Sequence, residues 1–323
     1  MVARVATFAM SESLLKASLA VQSRLADAQT QEASGIVSSD YAGLGSDASS
    51  MVDMEVTIQR ATNYQTAAET ADTRVTMMYS AVTSISDLLI DVRSDVNGAT
   101  DEDSLEALEA TASTMLDELT SLLNSEYNGS YLFGGTSTTD APVDLGDTTV
   151  TSLSEDEDED GTITYSYSVD DEDETSSDLD AYADSYYSGS ETLQSVKVSD
   201  SRTVSYGTTA DDDAFSSALI ALSYIASGNM TTDDVTAVSD LLQDAIDGVA
   251  DILSNLGTTA DTLESAATSQ EDYASTLSDM ATDLGSVDIA SIAVTVSNYE
   301  SQLEASYAAL ASFTSMSLLD YMS

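Results

Sequence analysis

Cysteine and histidine are both absent from the 323 residues, and only one proline and 15 glycines occur. Without either ligand type there is no zinc site built on His or Cys, no iron–sulfur cluster and no haem ligated by His or Cys. Ser-His-Asp and Cys-His nucleophile systems are excluded for the same reason. No disulfide framework can form, so the redox compartment is left open. So few helix breakers in a chain of this length predict a helix-rich fold.

Positive charge is scarce too. Lys and Arg number 8 against 58 Asp and Glu, a formal net charge of −50. A surface this anionic excludes nucleic acid and anionic membranes as partners. Carboxylates at such density repel one another in fresh water and are tolerated where salt shortens the screening length to roughly 3–10 Å. The charge therefore reads first as adaptation to a salty medium, with cation binding as its functional alternative. No run approaches 18 apolar residues, so no membrane span is expected. Residues 1–10, MVARVATFAM, lack the unbroken apolar stretch of a cleavable export signal. On these rules alone the chain would be cytoplasmic.

What is present falls into three regions. Residues 1–125 are rich in Ala, Leu, Ser, Thr and Met and hold six of the eight basic residues. Residues 140–210 are rich in Asp, Glu, Ser, Thr and Tyr, and residues 211–323 return to Ala, Leu and Ser. The last segment has the clearest period: Ile289, Ile292, Val296, Tyr299, Leu303, Ser306, Leu310 and Phe313 alternate spacings of three and four, the stripe of a helix made to pack lengthwise on others. At the start Leu14, Val21 and Ala28 repeat every seven, with Leu25 beside them. Each end predicts a helix of about 30 residues, roughly 45 Å long. One narrow stripe stabilises such a helix poorly, so both want partners.

Further helices are predicted over Ile58–Val96, Leu105–Leu123, Phe215–Ser227, Val235–Leu256 and Leu263–Leu284. Asn128-Gly129 followed by Tyr131-Leu132-Phe133-Gly134-Gly135 reads as a turn and a short apolar strand. Residues 162–169 alternate with period two, placing Ile163, Tyr165, Tyr167 and Val169 on one face, and 196–198 and 203–206 are candidates for a second strand pair. The expected fold class is mainly α. Long terminal helices, 1–45 and 286–323, pair as a coiled coil; a helical-bundle core with a β-hairpin spans 46–140 and 208–285; a small acidic β-rich outer domain covers 141–207.

Three stretches resemble the bacterial flagellin and hook-associated protein 3 family. They are Asn124 to Thr136 with Ala141-Pro142 after it, Val204-Ser-Tyr206-Gly207 through Ala214-Phe215, and Tyr299 to the end, above all Leu303-Glu-Ala-Ser306-Tyr307 and Ser317-Leu-Leu-Asp-Tyr321. The resemblance covers about 125 residues at the front and 115 at the back. It departs from the family after Gly35, where the usual basic residue is missing. It implies terminal helices that pair to line a hollow tube, a middle that projects outward, and subunits exported unfolded, without a cleaved signal, that fold on joining the tube. Localisation then becomes the extracellular flagellum, where external salt accounts for the carboxylates. The implied partners are copies of the chain, other flagellar axial proteins, and the export apparatus with an export chaperone.

Conspicuous features have plainer readings. Asp156, Asp158, Asp160 and Gly161 sit at positions 1, 3, 5 and 6 of a calcium-loop template, but position 12 is Tyr167 where a bidentate Glu is required. A solvated acidic loop is the expectation, with these three aspartates as the only metal candidates. Tyr165, Tyr167, Tyr182, Tyr186 and Tyr187 could stack on sugar but read as strand faces. Gly43 and Gly45 lack the Gly-Lys-Ser/Thr ending of a phosphate loop and read as a turn between helices. No cofactor and no enzymatic activity are expected. The chain is read as an axial structural subunit whose seam is Val5, Leu14, Val21 and Leu25 against Ile289, Ile292, Val296, Tyr299, Leu303, Leu310 and Phe313. A filament subunit is the first expectation and the hook–filament junction protein its alternative, which the C-terminal ending favours. A rival of another class is a secreted cation- or glycan-binding surface protein acting through 145–200.

Overall fold

A computed structural model describes residues 2–146, 149–157, 163–169 and 176–322, with backbone alone for 2–8, 11, 155–157, 163 and 313–322. The described residues form seven α-helices and three two-stranded antiparallel ribbons. They divide into a terminal unit, residues 1–60 with 272–323, and a bundle unit, residues 61–271. The helices α2 (Ala48–Gly98) and α6 (Val235–Gly285) contribute to both.

The bundle unit is organised around α5 (Asp213–Ala226), which is buried from Ala214 to Ile225. Its side chains Phe215, Leu219, Ile220 and Leu222 share one core with Val75, Val82, Ile85 and Leu89 of α2, Leu105, Leu119 and Leu123 of α3 (Glu102–Leu123), and Leu241, Leu242 and Val249 of α6. Aspartates start several of these helices. Asp101 caps α3 in a reciprocal capping box with Ser104, and Asp212 accepts from the Ala214 N–H at 3.1 Å to cap α5.

The hairpin of β1 (Glu126–Tyr127) and β2 (Ser130–Tyr131) turns on Asn128-Gly129, with φ of 52° and 74°. Two successive positive φ values define the tight turn that Asn-Gly favours. Arg74 of α2, 8 % exposed, donates to the carbonyls of Tyr131 and Leu132 and so fixes the hairpin to the bundle. Past it, Gly135 has φ 59°, and a Cβ there would lie 1.9 Å from the Ser190 carbonyl oxygen. Only glycine fits that approach.

Between the hairpin and α5, β3 (Val150–Glu157) pairs with β4 (Ile163–Val169), and β5 (Gln194–Ser199) with β6 (Arg202–Tyr206). Two sequence expectations change here. The middle region is not strands alone, because α4 (Leu179–Tyr186) lies between the ribbons, capped by Asp178. Tyr182 and Tyr186 thus belong to a helix. Their rings and that of Tyr167 pack edge to face with centroids 5.3 Å apart, and all three are at most 4 % exposed. The alternating pattern missed α4 because its apolar positions are tyrosines within Asp, Ala and Ser, a composition that suits strand faces equally well. Second, α6 is one continuous helix across Gly257 rather than two. Thr258 and Thr259 bond back to the carbonyls of Ser254 and Asn255. Burial of Ile252, Leu256 and Leu263 on either side outweighs the roughly 1 kcal/mol that an interior glycine costs against alanine.

The stretch Tyr41–Gly98 contains a window apolar enough by length and composition to cross a membrane. Its buried side chains supply part of the bundle core, which is what a core helix does.

Candidate assembly interface

The terminal unit consists of α1 (Val2–Ser34), a 3-10 turn over Tyr41–Asp47, the first turns of α2, the last turns of α6 and α7 (Ile289–Met322). The helix α1 ends where Gly35 takes φ 74° and its N–H returns to the Gln31 carbonyl at 2.8 Å. The start of α7 is capped by Asp288, whose carboxylate accepts from the N–H groups of Ala290 and Ser291. The two helix breaks are tied together. Ile36 and Ser286 form an antiparallel bridge, Val37 N–H donates to the Gly285 carbonyl at 2.8 Å, and Val287 N–H donates to the Gly35 carbonyl at 2.9 Å. The end of α1 is thereby set beside the start of α7, and the two run antiparallel. Gly43 and Gly45 lie in the 3-10 turn, where Asp40 accepts from the Gly43 N–H and Gly45 has φ 60°.

This register brings part of the expected seam together. Ala28, Ile292 and Val296 are buried, and Leu25, Val287 and Tyr299 pack against them. Leu14, Val21, Leu303 and Leu310 are half-buried along the same two helices. Ile289 is 59 % exposed and lies outside the cluster. Val5 and Phe313 fall on α1 and α7, but their side chains lie outside the described residues. Ser18, 3 % exposed, escaped the sequence reading. It completes the alternating series Leu14, Ser18, Val21, Leu25, Ala28, so spacing would have found it where hydrophobicity did not.

Large apolar side chains also remain outside the seam. Met10, Leu15, Leu19, Ile289, Val294 and Tyr307 of α1 and α7 are each between 47 % and 62 % exposed. Lys16 pairs with Glu12 at 2.9 Å, both exposed on one helix face, an interaction that contributes little. The surface of the terminal pair thus exposes large apolar side chains, and its acids are few: three on α1 beside three basic residues, and three on α7.

The other candidate sites are weaker. Asp156 lies in β3 opposite Thr164, while Asp158 and Asp160 lie outside the described residues. Tyr167, at the last template position, donates to the Asp178 carbonyl at 2.7 Å. A groove of about 520 Å³ beside α5 and α6 is lined by Asp212, Asp213, Asp244 and Asp251. Burial raises the Asp212 and Asp244 carboxyls above their ordinary range, and neighbouring aspartates add to it. Among the described residues no three carboxylates converge as a metal site.

Residues 5–138 match the bacterial flagellin N-terminal helical region, and residues 239–322 match the bacterial flagellin C-terminal helical region. No curated protein sequence matches the chain. Among solved structures it is similar to a flagellar hook-associated protein from Vibrio parahaemolyticus, with 14 % identity, a TM-score of 0.53, and coverage of 74 % of this chain and 97 % of that one. It is also similar to FlgL from Bacillus cereus (15 % identity, TM-score 0.40, 81 % and 99 % covered) and to hook-associated protein 3 from Legionella pneumophila (14 %, 0.42, 71 % and 98 %). Both helical ends are matched, in order and on either side of residues 139–238, and the chain belongs to the bacterial flagellin and hook-associated protein 3 family.

Proposed function

We propose that the chain is a junction subunit of the hook-associated protein 3 type, which joins the flagellar axis through α1 and α7. Its contacts would be copies of itself and other axial proteins, reached after export without a cleaved signal and with the help of an export chaperone. The observation that carries this is the distribution of charge. The helix α1 holds three acids, Glu12, Asp27 and Glu32, against Arg4, Lys16 and Arg24, and α7 holds Glu300, Glu304 and Asp320. The other 52 of the 58 acids lie elsewhere. Subunits of charge −50 approach most easily where carboxylates are sparse on both sides, and the terminal pair combines a low density of acids with exposed apolar side chains. The seam residues, Phe313 and Val5 included, are then completed by neighbouring subunits.

The junction reading is preferred to the filament reading on two grounds. The C-terminal stretch from Leu303 to Tyr321 resembles the junction protein, and the structural relative from Vibrio is described as hook-associated. Negative-stain microscopy of the full-length chain mixed with hook fragments at high salt separates the two. A collar of fixed length on hook ends, with no tubes from the chain alone, is expected. Long tubes growing from seeds would return it to the filament subunits.

A further inference from the structure

The groove beside α5 and α6 lies wholly within the bundle unit and plays no part in the assembly proposed above. Its volume is about 520 Å³, and four carboxylates line it: Asp212 and Asp213 at the start of α5, Asp244 and Asp251 on α6. No basic group answers them. The segments that line the groove, 164–179, 212–217 and 241–255, contain no Lys, Arg or His. The acids are also spread out rather than gathered. Among the described residues no three of them converge as a metal site, whereas calcium and magnesium draw their oxygen ligands onto one point.

The spacing on α6 has a length of its own. Asp244, Gly248, Asp251 and Asn255 recur at intervals of four, three and four, which puts them on one helix face. Seven residues place the two aspartates roughly 10 Å apart along the axis. Between them Gly248 presents no side chain, and a Cβ there would lie 2.7 Å from the Ala214 Cβ. Tyr165, Leu241 and Ile252 add apolar surface to the same groove. An independent feature points to an occupant. Ser217 of α5 is 6 % exposed and lines the groove. Its hydroxyl has no hydrogen-bond partner among the described residues, while the neighbouring Ser216 bonds Tyr186 at 2.9 Å. A hydroxyl buried to this degree is ordinarily bonded, and the groove is the side from which Ser217 can be reached.

We infer that this groove binds a linear polyamine, a methylene chain carrying ammonium groups at intervals. Its end nitrogens meet Asp244 and Asp251, its methylenes cross Gly248 against Leu241 and Ile252, and an ammonium N–H donates to the Ser217 hydroxyl oxygen. A triamine of the spermidine kind has the length that the aspartate spacing requires. A compact metal ion would meet one carboxylate at a time, and a neutral sugar would leave all four uncompensated. The net charge of −50 also gathers multivalent cations diffusely, so the site is told from that atmosphere by its residues.

Isothermal titration calorimetry of spermidine into the full-length chain at about 1 M KCl, where the screening length falls to about 3 Å, makes the distinction. One saturable site per chain is expected. Asp244→Asn with Asp251→Asn should weaken it at least tenfold, and Ser217→Ala about threefold, with circular dichroism unchanged for both. Glu106→Gln with Asp117→Asn, on α3 and outside the groove, should leave it intact. Putrescine, too short to span both aspartates, should bind the wild-type chain at least tenfold more weakly than spermidine. Equal losses in the groove and α3 variants would reduce the binding to diffuse charge and overturn the site. A wild-type chain without a saturable phase would overturn it as well. Equal affinity for putrescine, or displacement of spermidine by magnesium at equal concentration, would overturn the polyamine assignment.

Discussion

The terminal unit and the bundle unit are built from the same residue types and helical periods, yet they bury their apolar side chains to opposite degrees. The terminal unit is about a third of the chain. It holds twelve of the sixteen strongly exposed large apolar side chains described, and its buried apolar residues are Ala28, Ile292 and Val296. The bundle unit places a buried helix, α5, among α2, α3 and α6 and leaves four such side chains outside. A helix surrounded on all sides satisfies a wide apolar arc, whereas two helices lying side by side satisfy one narrow stripe each. The bundle thus buries most of its large apolar side chains within itself, whereas the terminal pair leaves most of its own exposed.

Deleting α7 is the harshest test of that contrast. A chain lacking residues 289–323 should lose assembly on hook fragments entirely. Its thermal unfolding midpoint should move by less than about 3 °C, because the bundle core is untouched. A collapse of the bundle transition on this deletion would show that the two units do not stabilise themselves separately.

Point substitutions sharpen the same contrast. Phe215 is fully buried against Phe133, ring centroids 6.1 Å apart. Phe215→Ala should cost about 3–5 kcal/mol of stability, read by denaturant unfolding. Ile292→Ala, in the terminal seam, should change that unfolding by under about 1 kcal/mol while raising the concentration required for assembly. Equal effects of the two on unfolding would break the comparison.

Much of this architecture was legible beforehand, and the limits are instructive. The heptad from Ile289 to Phe313 and the Asn-Gly turn at 128–129 could be read because each depends on local chemistry: a spacing, or two positive φ values. The helix α4 could not, since Tyr182 and Tyr186 are fixed by tertiary packing against Tyr167 and the alternating pattern of their surroundings serves strands as well. The continuity of α6 through Gly257 was hidden for a related reason, as burial on both flanks overrides a local breaker. The role of Ser18 was hidden because a small polar residue can fill a close helix contact without registering as apolar. The packing of α1 on α7 through Leu25, Ile292, Val296 and Tyr299 was visible in the sequence.

Salt should separate the units by a smaller margin. Dilution from molar salt to about 10 mM lengthens the screening distance from about 3 to about 30 Å. Repulsion between whole subunits then grows more than repulsion within one. The concentration required for assembly should rise several-fold while the unfolding midpoint falls modestly. Light scattering and circular dichroism on the same dilution series check both. Assembly indifferent to dilution would mean that bound cations or modification neutralise the carboxylates.

The finest distinction lies between two aspartate caps of the bundle. Asp212 is raised above the ordinary carboxylate range by burial, with Asp213 and Asp211 adding to the shift. Its folded form holds a proton more tightly than the unfolded chain does, so folding gains stability as pH falls through the raised value toward the ordinary one and loses it as pH rises. Asp101 is lowered by the side chain and backbone N–H of Ser104, so its contribution is present above the ordinary value and disappears as pH falls. Asparagine caps helices about as well as aspartate. Asp212→Asn should therefore keep α5 capped, raise stability at pH 7 by under about 1 kcal/mol, and remove part of the gain on acidification. Asp101→Asn should lower stability at pH 7 slightly and flatten the loss at low pH. Urea unfolding between pH 3.5 and 7.5 measures both slopes, and a common sign for the two variants would show that burial does not set the difference between these caps.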